Sequence, residues 1–139
     1  MKILIKNLQN KVPLYPARIK RLILSILKGE KVKKTGCINL CFVNNALIKK
    51  FNIKYLNNNS STDVLAFNLS KQEKNKILLA DIMISAETAV TNAGKFKTSP
   101  DYELMLYVTH GMLHILGYDD INKAKAKIMH KKETAYVHR

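Results

Sequence analysis

Acidic residues are scarce in this chain of 139 residues: ten Asp and Glu stand against 24 Lys and Arg, a formal net charge of +14. Cysteine is scarcer still, with two, and proline and glycine number three and five. Each shortage excludes something. Cys37 and Cys41 share one extended stretch, GCINLCFV, which holds their Cα atoms roughly 13 Å apart, beyond disulfide reach. Both are expected to be free thiols on one buried strand face, as a reducing cytoplasm permits. The few prolines and glycines build no linker, and no repeat or low-complexity tract divides the chain, so a single domain over residues 1–139 is expected. No uncharged apolar run approaches bilayer length, and MKILIKNLQN has neither the apolar stretch nor the cleavage site of a signal peptide. A cytoplasmic, unexported protein without membrane attachment follows as the expectation.

What the chain does have is enough hydrophobic residue, 47%, for one ordinary core. Its excess of positive charge suits a polyanion, because clustered basic groups displace counterions from phosphates. Most of that charge is lysine, and Lys, Asn and Ile are abundant together, a composition that an AT-rich genome also produces. Charge therefore favours a nucleic-acid partner without requiring one.

The apolar pattern predicts an α/β fold. KILIKN is a short strand. Beyond Pro13 and Pro16, Ile19, Leu22, Ile23, Ile26 and Leu27 share one helical face, with Gly29 as the expected stop. CINLCFV reads as a buried strand, and Asn44 or Asn45 can cap a helix reaching about Leu56. After the turn-rich NNNSSTD come two strands, DVLAF and ILLADIMI, with the Lys-rich loop SKQEKNK between them. Ser85 caps a helix that turns Ala86, Ala89 and Val90 inward. Ser99, Pro100, Asp101 and Glu103 are start signals for a helix, YELMLYVTHGMLHILG, that is apolar nearly all round and so should cross the core. The tail DINKAKAKIMHKKETAYVHR is a further amphipathic helix with a basic outer face. The sum is one domain with a small, mixed four-stranded sheet packed by helices.

The chemistry concentrates in HGMLHILGYDD. His110 and His114 are four positions apart, about 40° apart around a helix and one turn apart along it, so both can reach one ion. Gly117 lets the chain reverse, which brings Asp120 toward the same ion as a third ligand and leaves a position for water. Two imidazoles on an apolar helix are costly without a partner, which also argues for a metal or a hydrogen-bonded network. The zinc-protease version of this spacing places a glutamate, the general base, directly after the first histidine. Here that residue is Gly111, so peptide hydrolysis is disfavoured and any base must come from elsewhere. Two histidines and one carboxylate are also the ligand set of iron-dependent oxygenases, but nothing else in the sequence suggests a co-substrate pocket.

HGMLHILGYDD, with STDVLAF and ADIMIS upstream, resembles the YbeY-type rRNA maturation endoribonuclease family, whose motif is HGxLHLxGYDH. The resemblance runs over essentially the whole chain. It implies a zinc-dependent, single-strand-specific endoribonuclease acting on rRNA, notably the 3′ end of small-subunit rRNA, and in ribosome quality control. His110 and His114 match the first two zinc ligands and Asp119 the aspartate before the third. Asp120 stands where the family has histidine; a carboxylate is an acceptable zinc ligand but a charge-reducing one, which makes another divalent metal an alternative to one Zn2+ per chain. Leu56 occupies the place of a family arginine, removing a bidentate phosphate clamp that Lys49, Lys50 and Lys54 can replace only as point charges. Ser61 and Asn68 stand for prolines, and Ala80 for a glycine. Thr62, Asp63 and Asp81 match the family pattern, with Asp81 the candidate for a group beside the metal that orients a ligand or water. His130 and His138 are expected at the surface. The departures at Leu56 and Asp120 support a second reading, a ribosome-associated RNA-binding or assembly factor with weak or absent nuclease activity.

Overall fold

A computed structural model describes residues 1–58, 62–70 and 76–138. The chain forms β1 (Lys2–Asn7), α1 (Pro16–Gly29), β2 (Thr35–Val43), α2 (Asn45–Leu56), β3 (Val64–Asn68), β4 (Ile77–Ser85), α3 (Ala86–Phe96), α4 (Pro100–Ile115) and α5 (Lys123–Val137). The strands make one mixed sheet in the order β1-β2-β4-β3. β1, β2 and β4 are parallel, and β3 runs antiparallel to β4 at the edge. This is the mixed four-stranded α/β domain that the apolar pattern predicts.

Alternation along the strands sets the two faces. Ile38, Leu40 and Phe42 of β2 join Leu78, Ala80, Ile82 and Ile84 of β4 in the main core, where they meet Ile19, Ile23 and Ile26 of α1 and Leu104, Val108 and Met112 of α4. Residues of opposite parity face the other way: Val43 and Leu65 pack under Ile48 of α2, with Cys41, Phe51, Phe67 and Met83 around them. The sheet is thus covered by α1 and α4 on one side and by α2 on the other. Cys37 and Cys41 are free, as expected, but only partly buried, because their face is the one that α2 covers incompletely.

The caps follow the side chains. Asn44, Ser85, Ser99 and Asn122 each accept a hydrogen bond from a backbone N–H in the first turn of the helix they start. Two local details refine the expectations, at Gly29 and Val90. α1 ends at Gly29, as expected, but it is Lys31, at φ 57°, that takes the left-handed turn. A Cβ at Gly29 would run into the Tyr136 ring, so this glycine serves contact with α5 rather than chain reversal. In α3 the buried residues are Ala86, Ala89 and Ala93, while Val90 is 42% exposed, since a helix advances 100° per residue and Val90 falls outside that stripe. Parts of the NNNSSTD and SKQEKNK loops, Ser61 among them, lie outside the described residues.

Candidate metal centre

α4 is held deeply enough to fix side chains rigidly. Ser99 caps it, Pro100 opens it, and Asp101 and Glu103 lie in its first turn, where carboxylates complement the positive helix end. Leu104, Val108, Met112 and Leu113 are buried on the core side. At Gly111 the helix lies close against the sheet: a Cβ there would stand 2.9 Å from Ile82 Cγ2 and 3.2 Å from Val64 Cγ2. The sheet therefore occupies the space that a protease-type glutamate after His110 would need.

His110 and His114 occupy the remaining stripe, their rings edge to face with centroids 4.5 Å apart and their Nε2 atoms 3.0 Å apart. Beyond α4, Gly117 takes φ 103°, a left-handed conformation that a Cβ would strain, and the chain doubles back. Asp120 returns with Oδ2 3.8 Å from His110 Nε2 and Oδ1 4.0 Å from His114 Nε2. Ligand atoms around a tetrahedral zinc stand roughly 3.3–3.4 Å from one another. The three separations, 3.0, 3.8 and 4.0 Å, straddle that value, so small side-chain rotations would let these atoms reach one ion. Among the described residues this is the one group of three or more such side chains that converges, with ligand atoms within 4.8 Å of one another. The His110, His114 and Asp120 side chains are 24%, 32% and 49% exposed, which leaves the fourth side open to water or a phosphoryl oxygen.

His110 has a further partner, Glu133 of α5, whose Oε1 meets Nδ1. Burial disfavours a charged His110 ring, yet the Glu133 hydrogen bond and the charges of Glu133, Asp63 and Asp120 outweigh it, so the His110 pKa is raised. Asp63 thus faces the cluster electrostatically, while its backbone oxygen accepts from Ser85 N at 2.9 Å and its Oδ1 from Thr62 Oγ1 at 3.3 Å. Nearby, burial pushes the Tyr107 phenol up to about 12, and its oxygen accepts from Asn92 Nδ2 at 2.7 Å. Tyr107 is a neutral group at working pH.

A second carboxylate steadies the reversal. Glu30, just past α1, accepts from Tyr118 Oη at 2.5 Å and Lys132 Nζ at 3.1 Å, and from the Tyr136 hydroxyl. It therefore ties the turn that carries Asp120 to α1 and α5. Burial raises its pKa, but the hydrogen bonds from Tyr118, Tyr136 and Lys132 prevail and the net shift is downward.

The other candidates lie elsewhere. Asp81 does not join the cluster: Ile82 faces α4, so its neighbour projects from the opposite sheet face, where Asn39 Nδ2 donates to Asp81 Oδ1 at 3.0 Å. Lys49, Lys50 and Lys54 are exposed on α2, the helix on that same far face, and Leu56 is 54% exposed at its end. His130 and His138 are on or beyond α5; His130 is 72% exposed and the His138 ring packs near Tyr102. Glu133 and Glu30 escaped the sequence reading. Glu133 had a signal, being the only acid on a lysine-rich helix and four residues from the buried Met129. Glu30 had none, because its partners are 88 or more positions away.

Comparison with known proteins adds an independent line. The family model described as "Endoribonuclease YbeY" matches residues 4–139. A protein of that name from Pelotomaculum thermopropionicum is 33% identical over 96% of this chain and 93% of its own length. Another, from Syntrophus aciditrophicus, is 35% identical over 96% of this chain and 86% of its own. A solution structure of a Thermotoga maritima protein superposes with a TM-score of 0.68 at 27% identity, covering 98% of this chain and 87% of that one.

Proposed function

The chain belongs to the YbeY endoribonuclease family, and from that premise we propose that it cuts single-stranded RNA with the help of one zinc ion held by His110, His114 and Asp120. Endoribonuclease activity is what the family supplies. The zinc, the preference for single strands, and a substrate at the 3′ end of small-subunit rRNA, with a part in ribosome quality control, belong to the proposal. The observation that carries it is the convergence of two imidazole nitrogens and one carboxylate at separations that suit a single tetrahedral ion.

An ion bound there supplies Lewis acidity, lowering the pKa of water and polarising a phosphoryl oxygen. The residues around it do the rest. Tyr118, pinned by Glu30, fixes the turn from which Asp120 returns, so the third ligand is already in place. Asp120 adds negative charge where the family has a neutral imidazole, which tempers the electrophile and widens the choice of divalent metal. The negative charge of Asp63 acts on His110 and favours its protonated form. Lysine on the surface holds the strand by its phosphates. No helix among the described residues is long and apolar enough to cross a membrane.

The test is cleavage of a single-stranded oligoribonucleotide by the full chain, with chelator, with zinc restored, and with His114→Ala. Loss of cleavage on chelation, recovery with zinc and an inactive variant are the expected results; cleavage that survives both chelation and the variant would remove the metal from the mechanism. The exposed Leu56, where the family has arginine, keeps a second reading in view: an RNA-binding factor with little turnover on the ribosome. Strong cleavage that appears only in Leu56→Arg combined with Asp120→His would favour it.

A further inference from the structure

α5 carries five lysines, at positions 123, 125, 127, 131 and 132, and a single acid, Glu133. That acid is turned inward. Met129, Glu133 and Tyr136 are the buried residues of the helix, and the Glu133 side chain is 11% exposed. A carboxylate in such a place is rare unless something pairs with it. Its close partner is Nδ1 of His110 on α4, with the exposed His130 Nδ1 3.7 Å from its other oxygen.

The two ring nitrogens of His110 therefore face opposite tasks. Nδ1 is engaged by Glu133, while Nε2 faces His114 Nε2 at 3.0 Å and Asp120 Oδ2 at 3.8 Å. A neutral imidazole has one N–H and one lone pair. A carboxylate can only accept, so the proton goes to Nδ1 and the lone pair is left on Nε2, directed at the position where an ion would sit. The contact also fixes ring rotation about the last side-chain bond, the freedom that a metal ligand must lose on binding.

We propose that Glu133 is a positioning residue for the metal centre, holding His110 as the Nδ1–H tautomer so that its Nε2 is ready to bind the ion. This rests on the reading of the cluster as a metal site. α5, otherwise a lysine-rich helix, thereby becomes part of that site, and the centre acquires a second carboxylate acting through an imidazole in addition to Asp120. A partner of this kind typically changes metal affinity by roughly 10- to 100-fold when removed.

The experiment uses the full chain, stripped of metal, as wild type, Glu133→Gln and Glu133→Asp. Zinc affinity is measured by competition with a chromophoric chelator, and the His110 tautomer by nitrogen-15 NMR of the metal-free proteins at alkaline pH. Thermal melts of the same samples separate folding from binding. The expected result is one zinc per wild-type chain, an affinity lower by roughly 10- to 100-fold in Glu133→Gln, and partial recovery in Glu133→Asp. His110 should be protonated at Nδ1 in the wild type and a mixture of tautomers in Glu133→Gln. Should Glu133→Gln not fold, the aspartate variant is read by the same two measurements. Unchanged affinity and tautomer in a folded variant would overturn the positioning role and leave the metal site standing. A wild type that takes up no zinc would overturn the metal reading itself, and the proposal with it.

Discussion

Gly111 offers a prediction in which two known effects oppose each other. Replacing a helix-interior glycine by alanine should stabilise by about 0.8–1 kcal/mol through backbone entropy alone. At Gly111 the new Cβ would stand 2.9 Å from Ile82 Cγ2 and 3.2 Å from Val64 Cγ2. Both neighbours are β-branched, so their methyl groups sit one bond from a Cβ fixed by a strand, and Ile82 is 1% exposed. Neither can swing aside, and α4 must lift by several tenths of an ångström. Overpacking of this kind costs about 1–3 kcal/mol. The net expectation is a loss of about 0–2 kcal/mol for Gly111→Ala. Gly94 in α3 is the control, since a Cβ there meets nothing within 4 Å; Gly94→Ala should gain up to about 1 kcal/mol, less because it lies near the helix end. The gap between the two variants, read by urea unfolding, isolates the packing effect. A Gly111→Ala protein as stabilised as Gly94→Ala would refute the close approach of α4 to the sheet. It would also leave the absent glutamate after His110 without its structural reason.

Two further predictions follow from the site. Asp120→Ala should keep the fold, because the side chain is 49% exposed, and lower zinc content well below one per chain on elemental analysis; Asp120→His should retain it. Equal zinc in Asp120→Ala and wild type would exclude Asp120 as a ligand. Glu30→Gln should destabilise by about 1–3 kcal/mol at neutral pH, since it weakens acceptance from two tyrosines and a lysine at a nearly buried site. The sign follows from the lowered pKa: the carboxylate stabilises fully above its ordinary value of 4.5 and loses that contribution as pH falls through the depressed folded value. The difference in melting temperature between wild type and Glu30→Gln should accordingly shrink below pH 4.5, and a difference that stays constant down to pH 3 would contradict it.

Local physics made much of this protein legible from the chain alone. The caps at Asn44, Ser85 and Ser99, the inward face of α1 and the apolar α4 are all written in neighbouring residues, because side-chain oxygens reach only the next turn and helical periodicity is a short-range property. The spacing of His110 and His114 belongs to the same class: once α4 is a helix, two residues one turn apart must share a face. Gly117 and Asp120 extend that logic by a single reversal. What tertiary structure alone decided is which distant groups surround that turn. The sequence expectation makes Asp81 a companion of the histidines, yet strand parity sends it to the other side of the sheet, where Asn39 donates to it. Glu133 and Glu30 reach the centre from 23 and 88 positions away, the first against His110 and the second through Tyr118. No periodicity encodes such contacts, because they depend on how α1, α4 and α5 cross once the core has closed. The candidate ligands follow from local geometry, and the groups packed against them follow from tertiary structure.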